Sequence, residues 1–201
     1  MAPADSAAVT LTAQDEVLYE VSEHVATITL NCPDRMNTIS GPMLNLLTEL
    51  LLKADRDRDV RCIILTGTGK AFCAGLDLRG ATSGSTGLSG ASSSTNLDLR
   101  STPPTVLFNL DTPTICALNG SAAGYGMDTA LGCDIRIMAE GAKMAAAFTK
   151  RGILPESGGT WLLPRQVPPD SGRMPRLVKA AAILAPSAMI RMSQPSAVSM
   201  P

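Results

Sequence analysis

The sequence predicts a layered α/β fold built from repeated strand–strand–helix units. Three observations predict it. Apolar runs of strand length recur at residues 25–30, 60–66, 114–118 and 134–138. Glycine-rich turns follow the strands, at Gly67-Thr68-Gly69-Lys70 and from Asn119-Gly120 to Gly126. Stretches with helical spacing of apolar residues separate them. Parallel strands with crossover helices place ligands at the strands' carboxyl ends.

Taken in order, residues 17–21 and 25–30 read as a hairpin. In the second strand Val25, Thr27 and Thr29 alternate with Ala26, Ile28 and Leu30. His24, the single histidine, falls in the turn between them. Asn31-Cys32-Pro33-Asp34 turns the chain. Ser40 or Gly41 starts a helix, with Pro42 in its first turn. Met43, Leu46, Leu47, Leu50 and Leu51 give that helix an apolar face, and the charged run 53–59 ends it in solvent. Residues 60–66 form a buried strand. Residues 80–95 contain only Gly, Ala, Ser, Thr and Leu88, which reads as a flexible loop, either a lid or a tolerated insertion. A short helix near 96–110, a strand at 114–118, a helix from Ala123 to about Leu131 and a strand at 134–138 follow. Residues 144–148 are a short apolar segment, and Glu156 opens a short helix through Trp161 and Leu163.

A chain of 201 residues suffices for one domain with a real core. Aromatics are only 3%, so the core is built from Leu, Ile, Val, Ala and Met. Seventeen basic residues against eighteen acidic ones argue against nucleic acid and an anionic membrane surface as partners. Five cysteines without a C-x-x-C pair indicate buried thiols in a reduced, cytoplasmic protein. The first sixteen residues lack the pattern of a secretory signal, and no stretch has the length of a membrane span. One histidine, placed in a turn, gives little support to a Ser-His-Asp or Cys-His hydrolase or to a histidine metal site, and no metal is expected. Gly67-Thr68-Gly69-Lys70-Ala71 lacks the P-loop spacing, and no G-x-G-x-x-G follows a strand.

The chemistry resides in two glycine bends. In Asn119-Gly120-Ser121-Ala122-Ala123-Gly124-Tyr125-Gly126-Met127-Asp128 a strand ends in glycines that open a helix. Its first amides have no intrahelical partner and lie at the positive end of the helix dipole. Asp128 stands three residues from Tyr125, on the same side of that helix. In Ala71-Phe72-Cys73-Ala74-Gly75-Leu76-Asp77-Leu78, Gly75 lets backbone approach a ligand. One amide from each bend can serve one thioester oxygen and stabilise an enolate. Asp128 and Glu156 are the candidate proton-transfer groups.

The chain resembles the crotonase superfamily, the enoyl-CoA hydratase/isomerase family. The matching stretches are residues 25–33 with Asn37, 63–67 through 70–77, 117–120 through 133–136, and Gly152-Ile153-Leu154-Pro155-Glu156-Ser157-Gly158-Gly159-Thr160. The resemblance implies a crotonase-like (ClpP/crotonase) spiral of β-β-α units, with an oxyanion hole from the amides of Leu76 and Tyr125. It implies an acyl-CoA substrate, with coenzyme A arriving as part of it and no separate cofactor, and a trimeric or hexameric assembly. By the same resemblance the Ala74 neighbourhood meets adenine, and Arg79, or more weakly Arg35, meets a CoA phosphate. Asp128 takes the place of the first of two hydratase glutamates. Phe148 takes the place of the second and, unable to carry a proton, lines the acyl pocket. Glu156 takes the place of an isomerase carboxylate. Gly75 and Gly124 complete the substrate-binding set. This favours isomerase-type proton shuttling over two-glutamate hydration, with a single-acid hydratase as the alternative.

The resemblance implies three segments: an N-terminal tail (1–16), an acyl-CoA-binding core (17–165) and an atypical tail (166–201). The tail has six prolines and one acid, which suggests a truncated or frame-shifted end with the family's C-terminal helices absent or replaced. Only 177–184 has room for a helical turn or two. The rival reading is a catalytically inactive acyl-CoA-binding remnant.

Overall fold

The computed structural model describes residues 13–77, 102–148, 157–166 and 189–192. A short helix, α1 (Ala13–Glu16), leads into the hairpin of β1 (Val17–Ser22) and β2 (Val25–Leu30), paired antiparallel from Val17 opposite Leu30 to Ser22 opposite Val25. Glu23 and His24 make the two-residue turn with φ of 49° and 65°, the backbone that matches the twist of a tight hairpin. The alternation in β2 buries Ala26, Ile28 and Leu30 completely.

Helix α2 (Gly41–Arg56) begins where the sequence places it. Ser40 caps it, its Oγ accepting from the Met43 amide at 3.3 Å, and Pro42 sits in the first turn. Met43, Leu47, Leu51 and Ala54 are buried, while Leu46 and Leu50 pack at the margin of the core.

From there a strand–strand–helix unit repeats. The long strands β3 (Cys62–Gly67), β5 (Thr114–Leu118) and β7 (Ile135–Ala139) are each followed by a short one, β4 (Ala71–Cys73), β6 (Ser121–Ala123) and β8 (Met144–Ala145). The long strands join the hairpin and β9 (Met189–Met192) in a six-stranded sheet, order β1-β2-β3-β5-β7-β9, parallel beyond the hairpin. The short strands form a separate parallel sheet, order β4-β6-β8. Helices α3 (Pro103–Asn109), α4 (Tyr125–Gly132) and α5 (Gly159–Gln166) complete the repeats. Helix α2 packs on β1 and β2, α3 on α2 and α4, and α4 on β4, β6 and α5.

Two asparagines turn the chain from the large sheet to the small one. Asn119 Oδ1 accepts from the Gly67 amide at 3.1 Å, and its Nδ2 donates to Gly69 O at 3.0 Å. The fully buried Asn37 donates to Thr68 O and Ala71 O, each at 2.8 Å, and accepts from the Cys32 amide at 2.7 Å. The two side-chain amides thus supply partners for backbone groups that the turn takes out of both sheets.

The structure moves one helix start and adds a strand that the reading did not foresee. Helix α4 starts at Tyr125 rather than Ala123, because Ser121–Ala123 is a strand too short to leave a periodic signal. In the tail, β9 (Met189–Met192) lies parallel beside β7 as the edge of the large sheet; four residues carry no alternation by which to foresee it. The loop at 80–95, the segment 177–184 and the start of the helix expected at Glu156 lie outside the described residues. None of the described helices is long and apolar enough to cross a membrane.

Candidate active site

The first bend is tied down by three of the four amides from Ala74 to Asp77 and by the Gly75 carbonyl. Ala74 N donates to Met36 O at 3.0 Å, Gly75 N to Cys73 Sγ at 3.4 Å and Asp77 N to Ile39 O at 2.9 Å, while Gly75 O accepts from Ile39 N at 2.8 Å. The Ile39–Leu76 pair is a parallel bridge. In such a bridge the partner bonds the residues on either side, so the Leu76 N–H itself faces away from Ile39. Of the four consecutive amides from Ala74 to Asp77, that of Leu76 is the one these ties leave open.

The second bend lies against the first. Gly124 has φ 52° and ψ −123°, a conformation essentially restricted to glycine. Its amide donates to Ala145 O at 2.9 Å, which fixes the bend to β8. Helix α4 begins at the next residue, so the Tyr125 amide has no intrahelical acceptor. A Cβ placed on Gly75 (φ 110°) would lie 3.1 Å from Ala123 O and 3.8 Å from Tyr125 N. The bends are therefore packed backbone to backbone. Gly126 extends this contact: a Cβ there would lie 2.4 Å from Cys73 O.

Asp128 sits in the first turn of α4, fully buried. Its Oδ2 accepts from Ser157 Oγ at 2.6 Å. Its Oδ1 lies against Gly159, where a Cβ would come within 2.3 Å. Burial pushes this carboxyl up to about 6, opposed by the Ser157 hydroxyl and the Gly159 amide. Burial likewise raises the Tyr125 phenol and pushes the Cys73 thiol up to about 12, so both are neutral near pH 7.

The other expected residues are distributed as follows. Phe148 is buried, with Cζ 3.8 Å from the position a Cβ on Gly124 would occupy, at the wall of the second bend. Ala74 is exposed beside Gly75. Arg35 lies in the single-turn helix Pro33–Arg35, where its guanidinium pairs with Glu16 and, at 3.0 Å, with Asp77. A phosphate approaching Arg35 would compete with two carboxylates. Glu156 and Arg79 lie outside the described residues. Trp161 is half-exposed, edge-on to Phe108 with ring centroids 4.8 Å apart.

Residues 20–180 match the family model for enoyl-CoA hydratase/isomerase. The chain belongs to the enoyl-CoA hydratase/isomerase family, the crotonase superfamily. Within that family, it is 44% identical over 154 residues to a 1,2-epoxyphenylacetyl-CoA isomerase of Escherichia coli, covering 74% of this chain and 57% of the relative. It is 39% identical over 159 residues to a protein named probable enoyl-CoA hydratase in Mycobacterium tuberculosis, covering 79% of this chain and 60% of that relative. The chain thus spans less than two thirds of the length of these relatives. The crystal structure of an enoyl-CoA hydratase from Bacillus anthracis superposes with a TM-score of 0.67 at 31% identity, over 83% of this chain and 63% of that one.

Sequence reasoning missed Ser157 and Gly159 as neighbours of Asp128. Both lie in a stretch that carries the family resemblance, Gly152 to Thr160. Spacing along the chain gives no hint that this stretch folds back on a carboxylate 29 positions earlier.

Proposed function

We propose that this family member acts on the double bond of an unsaturated acyl-CoA thioester, moving a proton along the acyl chain while two backbone amides hold the thioester oxygen as an enolate. The observation that carries this reading is the open amide of Leu76 in a bend packed against the helix-opening Tyr125, with the buried Asp128 in the first turn of the same helix. Two preorganised donors act where negative charge develops, and removing one such donor typically costs about 3 kcal/mol of transition-state stabilisation.

In this mechanism a proton leaves one carbon of the acyl chain and one is delivered to another carbon, carried between Asp128 and Glu156. A carboxyl titrating at about 6 is mostly ionised at neutral pH, yet basic enough to exchange protons there. Glu156 is the second proton carrier. Phe148 walls the acyl end and excludes the second water-activating glutamate, which favours isomerisation over two-glutamate hydration. Coenzyme A enters as part of the substrate, with Ala74 near the adenine and Arg79 near a phosphate. Residues 17–165 form the acyl-CoA-binding core. The five cysteines are free thiols, which supports a reducing, cytoplasmic setting.

The test presents purified protein with trans-2-enoyl-CoA and 3-enoyl-CoA and follows hydration and double-bond migration separately. Migration is expected to dominate. Asp128→Asn and Glu156→Gln are each expected to lower it by about 10²-fold or more. Folded protein that turns over neither substrate refutes the enzyme reading and leaves the acyl-CoA-binding remnant. Turnover insensitive to both substitutions refutes the residue assignment.

A further inference from the structure

We propose that Ser157 is the positioning residue for Asp128: its hydroxyl holds Oδ2 and keeps the carboxylate in its proton-accepting form. This rests on the reading of Asp128 as the proton-transfer group.

Both side chains are buried, and Ser157 Oγ donates to Oδ2 at 2.6 Å, the short distance of a bond to an ionised oxygen. Oδ1 is packed against the Gly159 backbone. A carboxylate so placed is a poor anion unless something opposes its desolvation. No cation does so among the described residues, where the ion pairs belong to Arg35. Helix α3 and strand β6 contain no titratable side chain. On α5, the Arg165 guanidinium lies 3.9 Å over the Trp161 ring. On α4, Tyr125 interacts electrostatically with Asp128 but is neutral, and on β4 so is Cys73. What opposes burial is a pair of neutral donors, the Ser157 hydroxyl and the Gly159 amide. Only the first is a side chain, so the proton affinity of Asp128 is set from a second element, α5's leading turn, rather than from its own helix.

The experiment titrates the Asp128 carboxyl by 13C NMR in full-length protein labelled at aspartate, alongside the pH profile of kcat/KM for enoyl-CoA isomerisation. Ser157→Ala is expected to raise the Asp128 titration by about one pH unit and to move the acid limb of the profile up by the same amount. Ser157→Thr keeps a hydroxyl and is expected to restore both. An unmoved carboxyl titration in folded Ser157→Ala protein overturns the proposal. So does a titration that moves while the acid limb stays, since that reveals a structural contact alone. Should the alanine variant not fold, Ser157→Cys preserves size with a weaker donor. An intermediate shift then supports the proposal, and the absence of a shift overturns it. Failure of the underlying reading looks different: Asp128→Asn would retain turnover, while the carboxyl titrations in the Ser157 variants would still report the hydrogen bond.

Discussion

Each glycine bend carries an aspartate just downstream, and the two live in opposite surroundings. Asp77, two residues after Gly75, accepts from Arg35 Nη1 at 3.0 Å, and the same guanidinium reaches Glu16. Asp128, four residues after Gly124, is more deeply buried yet meets no cation among the described residues, only the Ser157 hydroxyl and the Gly159 amide. One carboxylate is neutralised and ties a bend to the body of the fold. The other is left with the cost of its burial, and its proton affinity rises accordingly. Residue type and distance from a glycine are nearly shared. The neighbours brought in from elsewhere in the chain decide which carboxylate is paired with a cation and which is left to hydroxyl and amide donors.

The comparison breaks most readily if the bends are forced apart. Gly75→Ala puts a methyl group 3.1 Å from Ala123 O on a backbone with φ 110°, where a non-glycine residue is strained by roughly 1–3 kcal/mol. The Leu76 amide then shifts relative to that of Tyr125. The expected outcome is a loss of about 10²–10³-fold in kcat/KM, the usual effect of losing one oxyanion donor, with the circular dichroism spectrum preserved. Unchanged turnover would mean that the two bends do not serve one carbonyl.

The second effect is in stability and sharpens the contrast between the two aspartates. In the folded chain Asp128 titrates at about 6, against about 4 for an unfolded aspartate. Between those values the folded state holds a proton that the unfolded state has released. Stability contributed at this site therefore falls as pH rises from about 4 to about 6, and stays lower above that. Two pH units correspond to roughly 3 kcal/mol. Asp128→Asn is expected to match the parent near pH 4 and to exceed it by roughly that amount at pH 7, measured by urea denaturation across the range. Parallel stability curves for the two proteins would show that Asp128 is not raised in the folded chain.

Much of this architecture could be read from the chain because glycine, proline and alternation act locally. The burial alternation of β2, the bounds of β5, the Ser40 cap and the apolar face of α2 all follow from residues within a few positions of one another. The bends were visible for the same reason, since Gly75 and Gly124 both adopt positive φ. Strands β6, β8 and β9 were not, because two to four residues carry no period. Nor were the partners that separate Asp77 from Asp128. Arg35 reaches Glu16 across 19 positions and Asp77 across 42, and Ser157 reaches Asp128 across 29. Nothing in the residues around Arg35 or Ser157 points to these carboxylates until packing delivers them.

The smallest effect tests the anchoring side of the comparison. Arg35→Leu removes the cation between Glu16 and Asp77 and leaves two carboxylates facing one gap. Removing one partner of a fully buried pair costs about 3–5 kcal/mol, and an exposed pair is worth about 0–1 kcal/mol. The side chains here are 10–23% exposed, so solvent screening brings the expected loss to about 1–2 kcal/mol, read as a lower denaturation midpoint. Turnover is expected to fall only a few-fold. The main-chain bonds from Ile39 to Gly75 and Asp77 survive the substitution and still orient Leu76. A loss of turnover as deep as that of Gly75→Ala, in protein no less stable than expected, would reverse the argument: the first bend would then be held in its working shape by charge, with the Ile39 bridge following it.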